Sequence, residues 1–158
     1  MNYKIKYVEN KNQKSEFTNK VLRELPDWFG IEKSIVEYVE QAADLPFWAA
    51  ITDINECIGI FSGKIHYGST GDIFVCAVSP QFHRIGVGSE LYKEMEYYFK
   101  ANKCNYVIVK TLSDIVDYEP YNKTRKFYSK HGFTKLLTLT EMWDENNPCL
   151  IMIKDIRE

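Results

Sequence analysis

The spacing of apolar residues predicts a first strand followed by two helices. Residues 3–9, YKIKYVE, alternate between apolar and polar side chains, as a strand with one buried face does. Over residues 17–25 an apolar side chain recurs at every fourth position, which indicates one face of a helix that Pro26 ends. Helical spacing returns over residues 31–44, so two helices joined by the aromatic loop PDWFG precede the next strand.

Three strand-like segments and a longer helix follow. The segments PFWAAITD, ECIGIFSGKIHY and GDIFVCAV are separated by turn residues, which predicts three successive strands in an antiparallel meander. The next helix carries apolar residues on one face and charged residues on the other. Its apolar residues are Val87, Leu91, Met95 and Phe99.

The second half of the chain alternates strands and helices. The short apolar run NYVIVKTL is typical of a central buried strand. Pro120 suits the first turn of a helix and Gly132 its C-terminal end, which predicts a helix over residues 121–131. Two long strands around the hairpin DENNP complete the order β-α-α-β-β-β-α-β-α-β-β. This order predicts an α/β fold (α+β, with a mixed sheet).

Composition narrows the class of protein. A chain of 158 residues with 45% hydrophobic residues fits one globular domain, residues 1–158. A net charge of -2, with 20 scattered basic residues, argues against a nucleic-acid or anionic membrane partner. No apolar run reaches signal-peptide length or the ~20 residues of a membrane span, so a cytoplasmic protein is expected. Four widely separated cysteines without a CxxC pair predict neither a metal site nor a disulfide framework.

Two glycines, Gly86 and Gly88, lie where the meander runs into the long helix. Free N–H groups and the helix dipole make such a turn an anion site. The dinucleotide fingerprint would need a third glycine where Leu91 stands, and the GK[ST] of a phosphate loop is missing, so both of those folds are disfavoured. A compact loop over residues 83–89, with Arg84 as a charged donor, therefore predicts a cofactor that carries a diphosphate.

Two motifs resemble those of a known family. VSP ends a strand and HRIGVGSELY opens the helix after it, and NKTRKFYSKHGF follows over residues 122–133. The pair is similar to the two motifs of the GNAT superfamily of acyl-CoA-dependent N-acetyltransferases, and the predicted element order matches the fold of that family. His83 departs from the pattern, because the family usually has glutamine or arginine there.

The resemblance implies a cofactor, acetyl-CoA, and where it would bind. The strands over residues 73–78 and 106–110, the fourth and fifth of the sheet, would start side by side and then splay apart, with a bulge in the former. Main-chain groups of Cys76, Ala77 and Val78 would bind the pantetheine arm, and the loop would take the diphosphate. The loop residues are His83, Arg84, Ile85, Gly86, Val87, Gly88 and Ser89.

The resemblance also suggests catalytic groups, each with a plainer alternative. Tyr128 matches the motif tyrosine near the cofactor sulfur and would be the general acid, or it packs beside Phe127. Asn122 would bind the cofactor arm, or it is an exposed residue at a helix start. Asp72 lies where many members carry a glutamate base, or it is a turn residue. His66 is a candidate base from its own chemistry rather than from the resemblance, because its intrinsic pKa suits the task, or it is a half-exposed strand histidine.

In the fold that the resemblance implies, substrate selection falls to the loop between the first two helices and to the last hairpin, and here both segments, which would form the substrate wall, combine acidic and aromatic residues. Their candidate residues are Glu24, Asp27, Trp28, Phe29 and Trp143. Such a wall suits a small cationic amine, aminoglycoside-like or polyamine-like, as the acceptor of an N-acetyltransferase. Solvated loop charges beside aromatics that plug the core edge are the alternative. A protein or peptide N-acetyltransferase and a non-catalytic acyl-CoA-binding sensor are the other functions considered, and the resemblance allows a homodimer.

Overall fold

The computed structural model describes residues 2–158 and contains the predicted elements in the predicted order. The strands are β1 (Tyr3–Tyr7), β2 (Phe47–Thr52), β3 (Cys57–His66), β4 (Thr70–Val78), β5 (Tyr106–Leu112), β6 (Thr134–Asp144) and β7 (Asn147–Asp155). The helices are α1 (Lys11–Arg23), α2 (Glu32–Ala42), α3 (Val87–Ala101) and α4 (Glu119–Lys130), and a 3₁₀ turn, Pro80–Phe82, precedes α3.

The seven strands form one mixed sheet in the order β1-β2-β3-β4-β5-β7-β6. β1 to β4 pair with their neighbours in antiparallel fashion, which confirms the meander. β5 runs parallel to β4 because α3 returns the chain to the same end of the sheet. β7 then inserts between β5 and β6, antiparallel to both.

β4 and β5 separate partway along their length. They pair only from Thr70 opposite Tyr106 to Ile73 opposite Val109. The next residue of β4, Phe74, is an extra residue in the pairing with β3, where the register shifts. Such a bulge bends its strand and increases the twist. The predicted bulge and the splay between the fourth and fifth strands are both present.

Helices cover the sheet on both faces. α1 and α2 pack on β2 to β4 on one face, and α3 and α4 pack on the other. The predicted apolar face of α3 is fully buried, together with Tyr92. Every residue of β6 except Thr138 is exposed, since β6 is an edge strand that neither helix layer covers. No helix within residues 2–158 is long and apolar enough to cross a bilayer.

The ends of three helices differ slightly from the sequence prediction. α1 starts earlier because the Asn10 side chain accepts a hydrogen bond of 3.0 Å from the main-chain N–H of Gln13, a favourable N-cap. Ile31 precedes α2 and is 60% exposed, so it does not belong to the buried face. α4 starts at Glu119, with Pro120 in its first turn as expected.

Candidate active site

A cleft of about 690 Å³ opens where β4 and β5 diverge. One wall is the β4 segment from Ile73 to Val78, and the facing wall is the β5 segment from Val109 to Thr111. The turn before α3 and one face of α4 line one end, and aromatic residues of the α1–α2 loop and of β6 line the rest. The splay therefore creates a passage through the sheet between two helix layers.

The β4 wall offers main-chain hydrogen-bonding groups. Cys76, Ala77 and Val78 line the cleft and pair with β3 on one side, while pairing with β5 has already ended at Ile73. Their other edge therefore has no neighbouring strand and is available to an extended ligand, as at any free sheet edge, apart from the Val78 carbonyl, which His83 already contacts. The Val78 carbonyl oxygen lies 2.6 Å from Nε2 of His83. His83 thus lines the cleft but turns its imidazole towards β4.

The turn before α3 has the geometry of an anion site. Gly86 precedes the helix with φ +93°, a value that favours glycine, and no side chain caps the helix. The first helical bond runs from the Glu90 N–H to the Gly86 carbonyl, so the N–H groups of Val87, Gly88 and Ser89 have no acceptor within the helix. All three residues line the cleft.

Cationic side chains gather around this turn. Arg84 lines the cleft from the loop, and Lys123, Lys126 and Lys130 line it from α4. Ile85 is 58% exposed and does not line the cleft. The helix dipole, free N–H groups and four cations together suit a ligand with several phosphates.

Tyr128 lies in the cleft against β4. Its hydroxyl is 3.0 Å from Sγ of Cys76, and the side chain is buried. Burial, and then the neighbouring Cys76, raises the pKa of Tyr128 well above its usual value. Burial also raises the pKa of Cys76 to about 11. Both groups are therefore protonated at neutral pH, and the phenol is a hydrogen-bond donor in the cleft that also packs beside Phe127, the plainer alternative.

Asn122 lies at the start of α4 but does not line the cleft. Its amide nitrogen donates to Asp117 at 2.9 Å, and its side-chain oxygen accepts from Arg125. Arg125 in turn donates to the Leu112 carbonyl, which ties the start of α4 to β5. The structure therefore gives the Asn122 side chain partners within the fold, away from the other candidate cofactor residues.

Asp72 and His66 lie together, beside the cleft but outside its lining. The buried Asp72 carboxylate is 2.8 Å from Nε2 of His66 and 3.5 Å from Nζ of Lys110. Lys110 lines the cleft. Lys110 therefore connects the Asp72–His66 pair with the cleft, although the sequence interpretation had not included it.

The aromatic part of the expected substrate wall lines the cleft and the acidic part does not. Trp28, Phe29 and Trp143 are lining residues. The Glu24 carboxylate accepts hydrogen bonds from Ser79 at 2.9 Å and Lys20 at 3.1 Å, which hold it behind β4. Asp27 contributes its main-chain carbonyl to a hydrogen bond of 2.7 Å from Tyr118. Both acidic side chains lie outside the lining.

Tyr121 is a cleft residue that the sequence interpretation missed. Its hydroxyl donates to the Trp28 carbonyl at 3.0 Å, while Nε1 of Trp28 lies 3.0 Å from Oγ1 of Thr124 and 3.1 Å from the Pro120 carbonyl. These bonds join the α1–α2 loop to α4. Tyr121 lies about two helical turns before Tyr128 and so shares its helix face, a signal that the sequence contained.

Comparison with known proteins identifies the family. The family model described as "Acetyltransferase (GNAT) family" matches residues 11–133. An uncharacterised N-acetyltransferase of Methanocaldococcus jannaschii is 27% identical over 110 residues, which cover 68% of this chain. The match covers 65% of that relative, slightly less than two thirds of its length.

Solved structures share the fold at low sequence identity. A protein assigned to the GNAT family, from Desulfovibrio desulfuricans, has a TM-score of 0.82 and 17% identity, with 99% of this chain and 100% of that chain covered. Ard1 from Thermoplasma volcanium has a TM-score of 0.76 and 17% identity, with all of both chains covered. An aminoglycoside 6′-N-acetyltransferase solved with coenzyme A has a TM-score of 0.78 and 16% identity, with 98% of both chains covered. The match of the family model to residues 11–133, together with the splayed sheet, shows that this chain belongs to the GNAT acetyltransferase family.

Proposed function

We propose that the protein transfers the acetyl group of acetyl-CoA to a primary amine of a small molecule. The observation that carries this proposal is the buried Tyr128 phenol in the gap between β4 and β5, in the same cleft as the open turn at Gly86. A group that binds phosphates and a group that donates a proton are thus joined by one passage.

The lining residues fit acetyl-CoA in charge and in hydrogen-bonding groups. The N–H groups at the start of α3, with Arg84 and the α4 lysines, would hold the phosphates. The free edge of β4 at Cys76, Ala77 and Val78 would bind the amides of the pantetheine arm as a neighbouring strand would. This arrangement directs the thioester towards Tyr128. His83 and Ser89 contribute mainly to the shape of the turn, since Ser89 Oγ lies 2.9 Å from Nε2 of His131.

Bound acetyl-CoA supplies an activated acyl group that a neutral amine can attack. Attack by the amine would form the C–N bond, and Tyr128 would give its hydroxyl proton to the sulfur as the C–S bond breaks. The proton that the amine loses would restore the phenol through the base and solvent. The acceptor amine must lose a proton as well. Asp72 and His66 remain our candidates to receive it, with Lys110 between them and the cleft.

A small acceptor is favoured because the α1–α2 loop is fastened to α4. The hydrogen bonds of Trp28, Tyr118 and Tyr121 close this side of the cleft, which leaves less room for a peptide chain. Trp28, Phe29 and Trp143 offer aromatic faces to a cationic amine, aminoglycoside-like or polyamine-like. The aminoglycoside acetyltransferases among the structural neighbours support this class of acceptor.

Calorimetry with acetyl-CoA, followed by an amine panel, tests the proposal. The panel contains aminoglycosides, polyamines, aromatic amines and short peptides, and the release of CoA thiol is measured against an enzyme blank. We expect binding of acetyl-CoA and turnover with at least one small amine. Binding without turnover on any amine would favour a sensor, turnover with peptides alone would favour the peptide class, and no binding would overturn the proposal.

A further inference from the structure

Thr111 carries a buried hydroxyl with no hydrogen-bond partner in the described chain, residues 2–158. The residue is 3% exposed and lines the cleft. Buried polar side-chain atoms are nearly always paired, because an unpaired one keeps the full penalty of its removal from water. Within residues 2–158, the other buried side-chain nitrogen and oxygen atoms have partners, so this exception falls in the candidate active site.

The position of Thr111 on β5 explains why it lacks a partner. It lies beyond Val109, the last residue of β5 that pairs with β4. On its other side β5 continues to pair with β7, where Thr111 faces Leu150. Alternation along a strand puts Thr111 on the same face as Val109, which packs with Tyr128 in the core under α3 and α4. Lys110, by contrast, reaches Asp72 on the opposite face.

We propose that the Thr111 hydroxyl donates a hydrogen bond to the carbonyl oxygen of the bound thioester. This inference rests on the proposed function, since it needs acetyl-CoA in the cleft. Cys76 and Tyr128 line the cleft from β4 and α4, and Thr111 supplies a neutral donor from β5. A donor there stabilises the negative charge that develops on the carbonyl oxygen as the amine attacks. Valine has nearly the same shape and would fill the site without an unpaired group, so the hydroxyl forms no hydrogen bond that stabilises the fold.

Two variants and one control test this role. Thr111→Val removes the hydroxyl and keeps the shape, whereas Thr111→Ser keeps the hydroxyl. The control is Thr18→Val, because Thr18 is also buried but its hydroxyl donates to the Lys14 carbonyl at 2.7 Å, outside the cleft. Each variant is compared with the wild type in thermal unfolding without ligand, in calorimetry with CoA and with acetyl-CoA, and in kcat.

Thr111→Val should lose activity without any loss of stability. We expect an unchanged or higher Tm, since no hydrogen bond is lost, together with a kcat about tenfold to a hundredfold lower. Acetyl-CoA should bind several times more weakly, while CoA, which lacks the acyl carbonyl, should bind as before. Thr111→Ser should keep most of the activity. Thr18→Val should show the reverse pattern, a lower Tm with unchanged kcat.

Several results would overturn the role of Thr111. One is a wild-type kcat in Thr111→Val. Another is equal weakening of CoA and acetyl-CoA binding, which would place the hydrogen-bond partner on the pantetheine arm. A third is a lower Tm, which would show that the hydroxyl has a partner within the fold. If the wild type itself binds no acetyl-CoA, the proposed function fails together with this inference. A wild type that is active and a Thr111→Val variant that is equally active reject the inference alone.

Discussion

The hydroxyl of Tyr128 lies 3.0 Å from the thiol of Cys76, one on α4 and the other on β4. The contact brings the two sequence motifs together, because α4 belongs to the second motif and β4 leads into the first. It also fixes the direction of the phenol within the cleft.

Replacement of Tyr128 by phenylalanine should remove the proton donor and leave the cofactor site intact. We expect kcat to fall by about 10² to 10⁴, the usual contribution of a general acid, with little change in the affinity for CoA. Steady-state kinetics and calorimetry measure the two effects. Tyr97→Phe is the matched control, since Tyr97 lies on α3 with 74% exposure. Equal kcat in Tyr128→Phe and wild type would remove Tyr128 from the chemistry.

Tyr128 should keep its proton throughout the usual pH range of an assay. Burial raises its pKa well above the ordinary value of ~10 for a phenol, so its ionisation should produce no fall in kcat up to about pH 10. A pH profile of kcat from 6 to 10 measures this. A decline below pH 10 that is absent from Tyr128→Phe would contradict the raised pKa.

Gly86→Ala should weaken CoA binding, whereas a glycine variant that costs the same stability elsewhere should not. A side chain at φ +93° destabilises the turn by about 1 to 2 kcal/mol and reorients the N–H groups at the start of α3. Gly68→Ala is the control, because Gly68 has φ +67° in the β3–β4 turn, away from the cleft. Both variants should lose similar stability in urea, but only Gly86→Ala should lose CoA affinity. Equal CoA affinities would show that the turn does not hold the cofactor.

Asp72→Asn and His66→Gln should lower kcat/KM to similar extents if the two residues accept the proton of the amine together. Their 2.8 Å contact predicts that the double variant loses little more than either single variant. Asp72→Asn should also lower the free energy of unfolding by about 1 to 3 kcal/mol, since the buried carboxylate loses charge-assisted contacts. Full activity in both single variants at pH 6 to 8 would exclude the pair as the base.

His131 should make the protein less stable at mildly acidic pH. Burial, followed by the neighbouring Lys154 and Lys130, lowers the pKa of His131 in the folded chain. In the unfolded chain this histidine therefore takes up a proton at a higher pH, near ~6.5, than in the folded chain. Protonation then favours the unfolded chain, so the free energy of unfolding decreases as the pH falls through that value. Urea unfolding at pH 8 and pH 5.5 measures the difference. His131→Gln should reduce the pH dependence, and an unchanged dependence would exclude His131 as its source.

Local patterns were sufficient to predict the element order and the first motif. The face of α3 follows from helical spacing alone, and the turn at Gly86 follows from glycine where a helix begins. Tyr128 is indicated by the resemblance to the second family motif, whose G-F pair corresponds to Gly132 and Phe133. These features depend on neighbours in the sequence, which a single chain displays directly.

Contacts between distant parts of the chain explain what the sequence did not predict. Glu24 looked like a substrate ligand, but Ser79 and Lys20 take its carboxylate. Thr111 and Lys110 looked like ordinary strand residues, and only the end of the β4–β5 pairing at Val109 brings them to a cleft. The resemblance implied that β4 and β5 part, but the residue at which they part depends on the bulge at Phe74 in the pairing of β4 with β3.

The bulge at Phe74 also decides which β4 side chains meet which helix layer. Phe74 and Val75 both pack towards α1 and α2, so the alternation after them is shifted by one position. Cys76 consequently packs towards Tyr128, and Ala77 towards the opposite layer. If β4 kept Phe74 but alternated regularly through it, without the bulge, Cys76 and Ala77 would exchange faces and an alanine methyl would point at the phenol. One inserted residue therefore sets the phase of the strand and so the chemical identity of the surface on which a thioester would lie.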